Sequence, residues 1–213
     1  VLIPPMLQEL RGYPQSIVGL LLAARGFGTL ISFTSMLFLS RMDPRIPITV
    51  GFILQGLSGV AMAQFDINVT TFDVAWTSML QGLGVGFVWV PMAVATFATL
   101  DPNRVPEASA VFHLLRNMGS SIYISLSVAL LLHSAKINYA EISAGISVFN
   151  EVLHMPFVTG VWDTGSAKGL AALSGEVGRQ SMMIGYINTF YMFGYTSLAA
   201  APLVWFMRAP KKS

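Results

Sequence analysis

Arg25 and Arg116 each stand eight residues inside a long apolar stretch, the first starting near Ile17 and the second near Ala108. If these stretches cross a bilayer, each guanidinium sits roughly 12 Å below the near face, at about 1.5 Å of rise per residue. A central arginine costs about 2.5–3.5 kcal/mol on insertion scales, so such a charge marks a polar interior rather than a lipid contact. Gln55, Gln81 and Asn188 lie at comparable depths and can either bond between helices or line a pathway. With the two arginines they make a candidate set for a substrate cavity or pathway. His113 precedes Arg116 by one helical turn and shares its face, which makes it a candidate for proton handling. No Asp or Glu falls inside any of the five apolar stretches, and cysteine is absent. Cysteine metal sites, thiolate chemistry and disulfides are thereby excluded, and neither a metal nor a cofactor is expected.

One string invites an enzymatic reading. Gly56-Leu57-Ser58-Gly59 matches the G-x-S-G of intramembrane serine proteases, and His113 would be its intramembrane base. Ser58 stands twelve residues into its stretch and His113 five into its own, a depth difference of about 10 Å, beyond hydrogen-bond reach. A small-residue packing site accounts better for the string, and no enzyme is expected. Gly82 and Gly86 form a second small-xxx-small face, followed by Pro91, so a closely packed and bent helix is expected there. Tyr186, Phe190, Tyr191 and Phe193 enrich the final stretch in aromatics, for packing, interfacial anchoring or stacking of a planar ligand.

The elements that must hold these residues are membrane spans. Hydrophobic residues make up 54% of the chain and charged ones only 10%, against about a quarter in soluble domains, too few to cover a water-facing surface. A net charge of +2 without a basic run excludes a nucleic-acid partner. Five spans of about twenty residues are expected, at 17–39, 46–64, 74–98, 108–132 and 182–207. Residues 1–16 read as the end of a preceding span with its outer connection, the chain being taken for a fragment that lacks its upstream part. Residues 133–180 read as a long outer loop whose ISVFNEVL and MPFVTGVW patches lie on the membrane as short amphipathic helices, and 208–213 as a cytoplasmic tail. Arg41, Arg45, Arg104, Arg208, Lys211 and Lys212 all fall on one side of this layout, which places the C-terminus in the cytoplasm. The sequon Asn68-Val69-Thr70 falls on the outer side and carries little weight.

Several segments together resemble one family. PPMLQELRGYPQSIVGLLLAARGFG, FLSRMDPRIPI, the glycine-rich QGLGVGFVWVPM and EASAVFHLLRNMGSSIYIS follow, in order and spacing, the C-terminal half of fourteen-helix drug/proton antiporters of the major facilitator superfamily, the EmrB/QacA type. Ala108, Ser109, Arg116, Gly119 and Ser121 match the pattern A-S-G-x-x-N-x-x-R-x-x-G-x-S-x-G, while Ala110, His113 and Tyr123 depart from it. Asn188 stands where the family often has an acidic residue, and Ala24 where it has proline. The resemblance implies an all-α membrane protein, part of a transporter bundle supplying helices ten to fourteen. It implies multidrug efflux of small lipophilic or cationic substrates against protons across a bacterial inner membrane. It also implies partnership with a periplasmic adaptor and an outer-membrane channel, and coupling carboxylates upstream. An exporter of one metabolite or siderophore-like molecule, and a non-transporting scaffold or sensor, are the alternatives.

Overall fold

The computed structural model describes residues 2–39, 42–97, 100–146, 155, 162 and 165–206, and among these it is helical without strands. A short helix α1 (Ile3–Pro5) runs into a wider turn at Met6–Leu10, followed by α2 (Gln15–Leu39), α3 (Arg45–Met62), α4 (Thr71–Phe97), α5 (Val105–Ala144) and α6 (Ala167–Leu203).

Local chemistry sets the element ends. Gly12, at φ +65°, takes the left-handed conformation that stops the first segment; its N–H bonds the Gln8 carbonyl at 3.1 Å and that of Tyr13 bonds Leu7 at 3.1 Å. At the start of α4, Thr70 and Asp73 cap each other: the Asp73 N–H donates to the Thr70 hydroxyl at 3.2 Å and the Thr70 N–H to the Asp73 carboxylate at 3.2 Å. The Ser166 hydroxyl accepts the Gly169 N–H at 3.1 Å and starts α6. Pro91 is buried within α4, which continues through it to Phe97.

The helices pack in the order α2, α4, α3, α6, α5, so that α4 separates α2 from α3 and α6 separates α3 from α5. Glycines make the seams. A Cβ on Gly82 would run into the Arg25 carbonyl of α2, one on Gly86 into the Ser32 hydroxyl, and one on Gly28 into the Met79 carbonyl of α4. On the other side of α4, a Cβ on Gly84 would lie 2.8 Å from the Gly51 carbonyl of α3. Between α3 and α6, a Cβ on Gly59 would lie 2.8 Å from the Gly194 Cα, and between α5 and α6 one on Gly185 would lie 2.7 Å from the Leu131 carbonyl. Lipid gives helices no hydrophobic reason to associate, so backbone approach at small residues supplies the van der Waals contact instead. The G-x-S-G string belongs to this scheme: Ser58 is fully buried and donates to the Gln55 carbonyl at 2.8 Å, while Gly56 and Gly59 receive Leu198 and Gly194.

Among the described residues four helices, α2 to α5, are both long and apolar enough to cross a membrane. The fifth expected span lies in α6, which is long enough at 37 residues but richer in polar groups. Its Ser181, Thr189 and Ser197 are buried, and its two neighbours α3 and α5 shield it, so its sequence need not be apolar all round. The long loop expected over 133–180 is shorter than that, because α5 continues to Ala144 and α6 begins at Ala167. Polar rungs at Tyr139–Ser174, 3.0 Å, and Asn188–Ser134, 2.6 Å, hold the two extended helices side by side there. The ISVFNEVL and MPFVTGVW patches fall almost wholly outside the described residues, as do Arg41, Arg208, Lys211 and Lys212.

At the α1 end of the bundle, Met6 and Leu7 are buried in a cluster with Val18, Met62, Val74 and Met183. Arg11 donates to the Ile67 carbonyl at 2.9 Å and Arg179 to that of Leu10 at 3.4 Å, tying the first segment to the α3–α4 connection and to α6. Arg179 also pairs with Glu176 at 2.9 Å, and this hydrogen bond holds the Glu176 carboxyl below the usual carboxylate range.

The seams predict a position-specific effect. Gly82→Ala in the detergent-purified full-length protein should lower the thermal midpoint by several degrees, since overpacking costs about 1–3 kcal/mol. Gly119→Ala, whose added carbon would meet nothing within 4 Å, should leave it unchanged.

Candidate functional site

A cavity of about 300 Å³ opens between α1, α2, α4, α5 and α6. Its walls are mostly apolar: Leu2, Ile3 and Pro4 close it at the α1 end, and Phe190 and Phe193 of α6 form one side. Four polar side chains and one charged one reach it, namely Gln81, Tyr123, Ser127 and Thr189 with Arg25. This is the make-up of a small-molecule site: an apolar body with few convergent polar groups.

The position of Arg25 follows from the α2–α4 seam. Its carbonyl lies against Gly82, and the Thr29 hydroxyl one turn further on donates to both the Arg25 carbonyl, 3.0 Å, and the Gly82 carbonyl, 3.2 Å. With its backbone pinned to α4, Arg25 shares the cavity wall with Gln81, the neighbour of Gly82. Among the described residues no carboxylate lines the cavity and the Arg25 guanidinium has no ion-pair partner.

The hydroxyls opposite are held by their own helices. Ser127 donates to the Tyr123 carbonyl at 2.7 Å and Thr189 to the Gly185 carbonyl at 2.9 Å. The Tyr123 hydroxyl meets that of Thr196 on α6 at 2.9 Å, which fixes the ring at the cavity margin. Phe190 packs edge-on against Phe65 at 6.2 Å between centroids, an arrangement suited to the ring quadrupole.

Of the residues singled out from sequence, the structure brings Arg25 and Gln81 together in this cavity and places the others elsewhere. Gln55 covers Gly84 at the α3–α4 seam. Asn188 donates to Ser134 across α5 and α6. Arg116 is exposed and lies over the Trp89 ring of α4, 4.1 Å from its centroid. His113 is exposed as well, its ring beside that of Phe112. Of the aromatics of α6, Tyr186 joins the buried cluster, Phe190 and Phe193 line the cavity, and Tyr191 accepts from Gln64 at 2.9 Å while stacking on Tyr195. Tyr123, Ser127, Thr189 and Trp89 were not singled out. A signal for the first two is present: Ser109, Arg116, Ser120, Tyr123, Ser127 and Ser134 recur at spacings of three, four and seven, one polar stripe along an otherwise apolar α5.

No family model matches the chain. Over 99% of its length it is 26% identical to the multidrug export protein EmrB of Haemophilus influenzae and 24% identical to EmrB of Escherichia coli K12, in each case across 42% of that protein. Over 98% it is 22% identical to the fatty acid resistance protein FarB of Neisseria gonorrhoeae, again across 42%. The chain spans less than half the length of these curated relatives and matches their C-terminal part. It is homologous to EmrB/EmrY-type multidrug export proteins along nearly all of its own length, and is multi-pass and all-α as the earlier resemblance implies.

The α5–α6 pairing yields a measurable coupling. In a double-mutant cycle of Ser134→Ala and Asn188→Ala on the full-length protein, unfolding in mixed micelles should return an interaction of about 0.6 kcal/mol and at most about 1.7, the range for hydrogen bonds between membrane helices.

Proposed function

We propose that this chain is part of a secondary transporter that exports lipophilic compounds from a bacterial cell against protons, and that the Arg25 cavity receives them. The single observation that carries the reading is one guanidinium in a mostly apolar chamber whose other polar groups are neutral, with no carboxylate on its walls among the described residues. That electrostatics favours a lipophilic acid over a cation: a carboxylate or phenolate gains a charge-assisted pair with Arg25, whereas a cation meets like charge. Phe190, Phe193, Ile124 and Leu22 take the apolar body, and Gln81 offers a further amide hydrogen-bond partner. Homology to export proteins supports the class of activity, and the relative named for fatty acid resistance fits the acidic preference. Of the two substrate types that the resemblance implies, lipophilic and cationic, this reading favours the lipophilic one and adds to it an acidic head.

Two further parts of the reading come from the family resemblance: an inner-membrane location with a cytoplasmic C-terminus, and cooperation with a periplasmic adaptor and outer-membrane channel. His113 is exposed in this chain, and the proton-coupling groups are assigned upstream of it.

Arg25→Gln in the full-length protein tests the proposal. A charge-assisted hydrogen bond is worth about 1.5–3 kcal/mol, so binding of laurate should weaken roughly ten- to hundred-fold, with a matching fall in its export from cells. Arg25→Lys should keep part of both, and binding of dodecanol should not change. Unaltered laurate export by the glutamine variant, in protein that inserts normally, would exclude the role.

A further inference from the structure

We propose that Arg116, stacked on Trp89, is a second receiving site for an acidic head group, outside the cavity on the same route. The proposal rests on the acidic-substrate reading of the Arg25 cavity and adds a station to it.

Position is the first argument. Arg116 lies on the polar stripe of α5, seven residues from Tyr123, which lines the cavity with Ser127. Seven residues are about two turns, so the guanidinium is roughly 10 Å further along the same helix face. Val111, Leu115, Met118 and Ile122 occupy the opposite face and are exposed, the surface that suits acyl chains. The stripe, on the other face, carries polar groups from the cavity margin toward the α4–α5 connection.

The second argument is the state of the charge. The guanidinium stands over the Trp89 ring at 4.1 Å, and a stacked guanidinium keeps its edge N–H groups available for an in-plane carboxylate. Arg116 makes no ion pair among the described residues, and the nearest acid on its own helix, Glu107, lies nine residues away. Stacking fixes the donor fork in advance, which lowers the ordering cost of binding. With Arg116 already on the ring, a cation is excluded from Trp89 and an anion is attracted.

The third argument is room. Unlike the neighbouring helix pairs, α4 and α5 are not packed backbone to backbone; they meet through rings, with Trp89 and Phe112 at 6.2 Å and Phe97 and Phe112 at 5.7 Å between centroids. A joint made of side chains can part by rotamer change, and its aromatic walls offer a lipophilic tail the contact its head group needs nearby.

The experiment uses full-length protein labelled with 5-fluorotryptophan in detergent, with the Trp89 fluorine resonance assigned by Trp89→Phe. Laurate should shift that resonance and dodecanol should not. In Arg116→Gln the shift should vanish and laurate export should fall at least about ten-fold, whereas in Arg116→Lys some of each should persist. The Trp89 shift should survive in Arg25→Gln, because the two stations are separate. An equal response to dodecanol, or unchanged laurate export by Arg116→Gln, would overturn the second station. If calorimetry shows Arg25-dependent laurate binding while Trp89 stays silent, only the second station fails. If the wild-type protein binds no laurate at all, the cavity reading fails with it. Retention of the size-exclusion profile and thermal midpoint by Arg116→Gln shows that any loss is not one of folding.

Discussion

The close approach of α4 to both of its neighbours governs the rest of this structure. Gly82 and Gly86 admit the backbone of α2, and Gly84, on the other face, admits α3. A single methyl group at Gly82 would collide with the carbonyl of Arg25 itself, so the same contact that joins the helices also sets where the half-buried cation stands. Helix association in lipid lacks the hydrophobic driving force of water-soluble cores and depends on this kind of contact. In this chain, packing and the location of charge are one arrangement.

A cavity of this type also needs polar groups that do not spend their hydrogen bonds on a ligand's competitors. Ser127 and Thr189 return their hydroxyl protons to their own helices, and Tyr123 is held by Thr196, so each presents a fixed acceptor or ring edge. Arg25 is the one charged donor on the wall among the described residues, with the Gln81 amide beside it. In the proposed reading, selectivity for charge sign comes from one residue, while the aromatic and aliphatic walls tolerate variation in ligand shape.

Depth in the bilayer is an expectation legible from sequence, because it needs only a count of residues at a known rise, and that count sets Arg25, Gln55, Gln81 and Asn188 inside their expected spans. Rotation about the helix axis is not, since it depends on which neighbours a helix has. Gln55 and Gln81 share similar depth, yet the first covers a glycine of α4 and the second reaches the cavity. The glycine pattern was legible as packing, but not that it would join α4 to α2 and α3 while α2 and α3 stay apart. The helices reach into the expected 133–180 loop: apolarity drops where α5 and α6 leave the expected spans, yet both continue, joined by rungs such as Tyr139–Ser174. The polar stripe of α5 is present in the spacing of its serines, Tyr123 and Arg116.

The separation of α2 from α3 by α4 bears on how the chain enters the membrane during synthesis. When α2 and α3 emerge, the helix that will join them does not yet exist, so each must partition into lipid on its own apolarity, and both are apolar enough to do so. By the time α6 emerges, α3 and α5 are already available to flank it, their glycines admit its backbone and Ser134 of α5 accepts its Asn188 amide. The least lipid-soluble helix described here is thus also the latest to arrive, which relieves it of the solubility that the earlier ones require.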